Sequence, residues 1–208
     1  MRTENGTSNG VVSQARRLPA VDRQRSIVEA ASRMIAAGGY VPLPLDALSR
    51  EAGVSRSLLY ARFDTQFDLL NAVLERYLDL LDHAGVTVAA QASDLALAVE
   101  SVARHYFTHV ATHGPVVHVL MRESYFRRHA SPALLRRRDR AFLTLARRLR
   151  RDFVLTVQEA TVAVRLGIAI PEEAGRLVRQ DRLSFEAGEA LTVTLVRSSF
   201  HALAPARP

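Results

Sequence analysis

The 208 residues contain no cysteine, no tryptophan and no lysine; all 28 basic side chains are arginine. Without cysteine there is no disulfide, no thiolate-ligated zinc and no thiol nucleophile. No window approaches the ~18 uninterrupted apolar residues of a membrane span. The opening MRTENGTSNGVVSQARR has neither an apolar core nor a cleavage-site pattern, so a soluble cytoplasmic protein is expected. Also missing are Gly-x-Ser-x-Gly, a Walker pattern and His-Glu-x-x-His. No catalytic residue is therefore expected, and neither is a metal or other cofactor. Hairpin signals are absent too. Phe153-Val154-Leu155-Thr156-Val157 has strand composition, but a lone strand has no partner. The fold class expected is all-α, with about nine helices.

What is present is an apolar fraction of 48%, enough for a globular chain with one sizeable core or two small ones. The net charge of +7 is unevenly spread. Residues 1–82 hold 10 Arg against 10 acids, while residues 1–62 hold 9 Arg against 5 acids. The basic excess near the N-terminus suits a nucleic acid, but charge alone is weak support for one. Complete replacement of Lys by Arg reads as a coding bias toward GC-rich codons.

The most informative stretch is LDALSREAGVSRSLLYARFDTQFDLL, residues 45–70. Leu45, Leu48 and Ala52 recur at i, i+3, i+7 and mark the buried side of a first short helix. Gly53 sits where the chain must bend. Ser55 is placed to cap a second short helix, which Leu59 and Phe63 bury. Its opposite side, centred on Ser57 and Ala61 and flanked by Leu58, Tyr60 and Arg62, has no partner in the pattern. An outward face of small, hydroxyl and guanidinium groups suits the major groove of DNA.

With the lead-in AASRMIAAGGY, the Ala52-Gly53-Val54-Ser55 turn, Leu59-Tyr60, Phe63 and the run Leu69-Leu70-Asn71-Ala72-Val73-Leu74, residues 22–80 resemble the DNA-binding domain of the tetracycline-repressor (TetR) family. The resemblance implies a homodimeric transcription regulator, most simply a repressor that a small apolar effector releases from a palindromic operator. It implies DNA contacts from Pro44, Ser55, Arg56, Ser57, Leu58, Tyr60, Ala61, Arg62 and Gln66. Tyr60 and Arg62 match positions that hold the DNA backbone, whereas Arg56, Ser57 and Leu58 lie nearer the base edges. Three positions depart from the family pattern. Leu43-Pro44 replaces a Thr pair, with Pro44 at the first helical position. Gln66 stands where Lys is common, facing the DNA backbone without its charge. Ser57 stands where Gly is frequent. The alternatives are an activator, a relative that uses the domain for protein interaction, and a small helical enzyme, which the missing motifs disfavour.

The organisation expected is a disordered tail over 1–20, the helix-turn-helix domain over 21–66 and a helical ligand-sensing and dimerisation domain over 67–208. A first helix runs from Asp22 to Ala37, burying Ile27, Ala30, Met34 and Ile35, and Gly38-Gly39 ends it. Thr65 with Asp68 forms a capping-box pattern for a helix reaching His83. Further helices span Ser93-Asp94 to Thr112, Gly114-Pro115 to Arg128, and Ser131-Pro132 to Asp152. Thr156 with Glu159 opens another, to Gln180, bent or ended early by Pro171. Ser184 caps the last, to Leu203, before Ala204-Pro205. The regions 156–180 and 184–203 are where the family's dimers pair. Gly188, Leu191, Leu195, Ser199 and Ala202 make a close-packing stripe there. His105, His109 and His113 fall at i, i+4, i+8, which is a metal spacing, but pocket-lining or half-exposed histidines are the better reading. Pocket candidates are His105, His109, Phe107, Leu120, Met121, Tyr125 and Phe142. The run Arg136-Arg137-Arg138-Asp139-Arg140, continued by Arg147, Arg148, Arg150 and Arg151, reads as a solvated face. Its functional option is an anionic effector such as an acyl-CoA. Asp64, Asp68, Glu75 and Asp79 likewise read as a solvated face.

Overall fold

The computed structural model describes residues 20–203, so residues 1–19 of the expected tail and Ala204-Pro205 lie outside the described residues, and Ala20, expected in the tail, opens the first helix. Among those described there are eleven helices and no strand. They are α1 (Ala20–Gly38), α2 (Leu45–Ala52), α3 (Arg56–Tyr60), α4 (Gln66–His83), α5 (Val86–Ala89), α6 (Leu95–His113), α7 (Val116–Arg122), α8 (Ser124–Arg127), α9 (Pro132–Asp152), α10 (Val157–Arg179) and α11 (Phe185–Ala202). Two more helices form than the nine expected. Gly85, left-handed at φ 83°, turns the chain, and its carbonyl accepts from Ala89 to close the single turn of α5. Glu123, with ψ at 112°, interrupts the helix expected to run unbroken to Arg128 and divides α7 from α8.

The local signals act where hydroxyl and carboxylate groups can satisfy the free N–H groups of a helix's first turn. Ser55 accepts from the Leu58 amide at 3.2 Å. Thr65 and Asp68 cap α4 reciprocally, and Thr156 and Glu159 do the same for α10. Ser184 caps α11. At α9 the cap differs from expectation. The Ser131 side chain makes no capping bond, and its backbone N–H donates instead to Asn71 Oδ1 on α4 at 2.8 Å. The segment with strand composition is the α9–α10 corner, where Val154 takes φ 56°. Pro171 neither ends nor splits α10, which continues past it to Arg179.

Two cores hold the chain together. The first joins α1–α4 to α7, with Ile27, Leu48, Leu59, Leu69, Val73, Val116, Leu120 and Phe126 buried. It extends to Leu134 and Leu135 at the start of α9, so packing does not divide at residue 66. The second lies among α5, α6, α9 and α10. Helix α4 bridges the two. The Tyr77 hydroxyl on α4 donates to the His113 carbonyl at 3.0 Å, and Arg137 on α9 reaches Asp79 and Asp82 at 2.7 Å.

Three arginines of the run, Arg137, Arg138 and Arg148, are half-buried and structural, whereas Arg136, Arg140, Arg147, Arg150 and Arg151 are exposed as a solvated face requires. Arg148 donates to the carbonyls of Ala90 and Ser93, both at 2.9 Å, holding α9 to the turn before α6. Arg138 reaches Asp139 and the Met121 sulfur. On α4, Asp79 and Asp68 are correspondingly engaged in the ion pair and the cap.

Candidate nucleic-acid interface and the cavity behind it

The helix-turn-helix owes its geometry to one bend. Gly53 is left-handed at φ 65°, and the following amide, Val54 N–H, returns to the Ser49 carbonyl at 3.0 Å. Pro44 stands one place earlier than expected. It is the N-cap of α2 and supplies only its carbonyl, to the Leu48 amide. Leu59 and Phe63 anchor α3 in the first core. That leaves Ser55, Arg56, Ser57, Tyr60 and Ala61 exposed, with Leu58 and Arg62 half-buried.

This outer face is partly pre-arranged. The Ser55 and Ser57 hydroxyls lie 3.0 Å apart. Arg56 pairs with Asp46 on α2 at 3.1 Å, and its pKa is raised by a hydrogen bond with Tyr60 and by the Asp46 charge. Both partners are well exposed, so the pair is loosely held and its guanidinium can exchange to another anion. The Arg62 Nε is buried without a partner.

Gln66 does not project to the outside as the family position implies. Its Nε2 donates to the Leu43 carbonyl at 2.9 Å, and its Oε1 accepts from the Leu43 amide at 3.1 Å. Both ends of the amide are thus used to tie the start of α4 to the segment before α2. A Lys cannot make this reciprocal pair, having no acceptor.

Residues 27–73, the segment that builds this unit, match the family described as bacterial regulatory proteins, tetR family. Over this segment the chain is similar to the DNA-binding domain of the TetR family. It is 37% identical over 65 residues to the HTH-type transcriptional activator FasR of Mycolicibacterium smegmatis, a match covering 31% of this chain and 30% of that protein. The chain thus aligns with less than a third of that relative's length. Its fold is shared more widely. A TetR-like transcriptional regulator from a Rhodococcus species superposes with TM-score 0.64 at 19% identity, covering 86% of this chain and 96% of that one. The TetR-like regulator LfrR of Mycobacterium smegmatis, solved with proflavine, gives 0.61 at 19% identity over 91% and 100%.

Behind the TetR-type domain, an apolar cavity of about 220 Å³ lies among α6, α9, α10 and α11. Val102 and Tyr106, Leu145 and Leu149, Val164 and Pro171, and Val196 and Phe200 form its walls. None of the seven expected pocket residues lines it. Leu120 is fully buried in the first core and Met121 packs on it. Phe107 is closed off by Phe185, at 5.1 Å between ring centroids, and by Gly188. Phe142 packs on the second core, and Tyr125 joins Phe67 and His129 on the outside of α4. His105 rests against Gly85. His109 is 4% exposed, and neither ring nitrogen has a partner.

Most of these residues pack in the two cores, and on α6 apolar periodicity could not distinguish Phe107 from the wall residues Val102 and Tyr106. All of the cavity walls were missed as pocket residues, among them Tyr106 on α6 and Gly167, Ile168, Ile170 and Pro171 on α10. A glycine four residues before a proline inside a helical pattern was the signal that could have found the α10 wall.

Burial of His109 lowers its pKa to about 4, so it is a neutral group in the fold. Tyr106 donates to Glu172 Oε2 at 3.1 Å, and burial pushes its pKa well above the usual phenol value. The other oxygen of Glu172 receives His118 Nδ1 at 2.7 Å, which raises the imidazole pKa. Among the described residues, no group of three or more His, Asp or Glu side chains is placed to hold a metal ion.

Proposed function

We propose that the chain is a homodimeric, DNA-binding transcription regulator that represses from a palindromic operator and is released by a small apolar effector. The observation that carries this reading is the capped, solvent-facing surface of α3, set in a domain matched by the TetR family over residues 27–73. In this reading Ser55, Arg56, Ser57 and Leu58 meet the base edges. Tyr60, Ala61, Arg62 and the exposed Pro44 lie along the phosphates. A phosphate contact positions without reading sequence, and an edge contact discriminates.

Dimerisation is supported by the apolar surface left open on α10 and α11, where Leu166 is 66% and Leu195 49% exposed. Two such reading heads must stand about one helical turn apart, ~34–36 Å, to enter successive major grooves. The effector site proposed is the 220 Å³ cavity, because its α10 and α11 walls belong to the same elements. An effector releases DNA only if it binds the mismatched spacing better than the matched one. The arginine run is a poor place for an acyl-CoA, since Arg137 and Arg148 are already engaged with Asp79, Asp82 and backbone carbonyls.

A gel-shift with DNA from upstream of the chain's own coding region tests the reading; a saturable, sequence-dependent complex is expected. Activation is the second reading. It is favoured by the likeness of the DNA-binding segment to FasR, which is described as an activator. A reporter placed behind the bound sequence separates the two by the sign of its response.

A further inference from the structure

We propose that the apolar cavity selects an uncharged molecule bearing one hydrogen-bond donor, which it receives on the backbone carbonyl of Gly167. The proposal rests on the reading of this cavity as the effector site and adds the ligand's chemical class.

Pro171 lies inside α10, and proline has no N–H. In an α-helix the carbonyl of residue i accepts from the amide of residue i+4 and points along the axis toward it. The Gly167 carbonyl therefore lacks its helical donor, and Gly167, Ile170 and Pro171 all line the cavity. The glycine is not explained by packing. A Cβ on Gly167 would meet nothing within 4 Å, whereas at Gly175 it would lie 2.9 Å from the Ala111 amide nitrogen and at Gly188 2.8 Å from the Phe107 ring. Gly175 and Gly188 allow close helix crossings. At Gly167 the space beside the backbone is open, and no side chain of its own stands between the cavity and that stretch of α10.

The rest of the wall decides the other half of the selectivity. The Tyr106 hydroxyl is the buried polar side-chain group of the lining, and its single proton is already given to Glu172. Ser199, the other hydroxyl of the lining, is exposed to solvent, so a ligand carrying only acceptors finds no buried free donor there. A carboxylate fares worse, losing its hydration in an apolar cavity beside a carbonyl oxygen and the Glu172 carboxylate. A hydroxyl or amide N–H meets the Gly167 carbonyl with the complement it lacks. An apolar cavity of ~150 Å³ accepts benzene, so 220 Å³ suits a molecule modestly larger.

Calorimetric titration of the full chain with 1-octanol, heptyl methyl ether and octanoate tests this. These are a donor, an acceptor and an anion of equal carbon count. Octanol is expected to bind at least fivefold tighter than the ether, and octanoate more weakly than either. Pro171→Ala supplies the missing N–H, and because alanine favours helix the variant is expected to fold. In it octanol should fall to within about twofold of the ether, while Tyr106→Phe should keep the wild-type preference. Equal binding of octanol and ether by the wild type, tighter binding of octanoate, or an undiminished preference in Pro171→Ala overturns the proposal and leaves the cavity as an effector site. If none of the three binds the wild type, the cavity reading fails with it.

Discussion

His109 shows how one side chain can set a pH limit on the fold. It is buried beside Tyr77, Tyr106 and His113 with no hydrogen-bond partner, and its folded pKa of about 4 lies below the ordinary 6.5. The unfolded chain takes up the proton near pH 6.5 and the folded chain only near pH 4. Stability is therefore full above pH 6.5 and falls as the pH is lowered to 4, by roughly 3 kcal/mol across the window. Thermal melts of wild type and His109→Leu between pH 7.5 and 4.5 check this, and the variant should lose most of that slope. On the outer face, Arg62→Ala should weaken binding to all operator variants alike and reduce the salt dependence by about one counterion. Arg56→Ala or Ser57→Ala should change the base preferred at one position per half-site. Gln66→Ala, despite lying at the edge of the same face, should lower the melting temperature and leave the salt slope unchanged, because its amide serves Leu43. Operator titrations at several salt concentrations, paired with melts, distinguish the three outcomes.

Among the helices, α6 and α10 cross so closely that glycine is required. Gly175→Ala should gain up to ~1 kcal/mol of helix propensity. That gain is outweighed because the new methyl would stand 2.8 Å from Val110 Cβ and 2.9 Å from a backbone nitrogen. A net loss of melting temperature is expected, while the same change at Gly167, where the space is open, should raise it. Denaturation of the two variants side by side decides this. The starts of α3, α4, α10 and α11 follow directly from Ser55, Thr65, Thr156 and Ser184, since a cap needs only a side chain and an amide three residues on. The division of α7 from α8 at Glu123 was not legible. No proline or glycine marks it, and the break lets α7 lie in the first core and Phe126 enter it from a new direction.

For the whole molecule, the open faces of α10 and α11 set the expected assembly. Leu191, Leu195, Ser199 and Ala202 are exposed as the stripe required, but Gly188 points inward onto Phe107 and belongs to the subunit's own packing. Sedimentation at micromolar concentration is expected to give twice the 23.0 kDa of one chain. Leu166→Glu combined with Leu195→Glu should give the single-chain mass with the helical spectrum retained. A wild-type chain that sediments at 23.0 kDa would contradict the dimer.

The sequence by itself determined the all-α class, most helix ends, the turn at Gly53 and the identity of the α3 outer face. Each follows from hydrogen bonds and apolar spacings within one or two helical turns. Only the tertiary structure decided which side chains are free and which are held. Arg148 is occupied by carbonyls 58 and 55 residues away, Gln66 by a backbone 23 residues away, and Glu172 by Tyr106, 66 residues away. It also separated core from cavity. Val102 and Phe107 share one helix and the same apolar pattern, but one faces a gap between four helices and the other a phenyl ring and a glycine. That difference depends on how α9, α10 and α11 meet across α6, which no local pattern encodes.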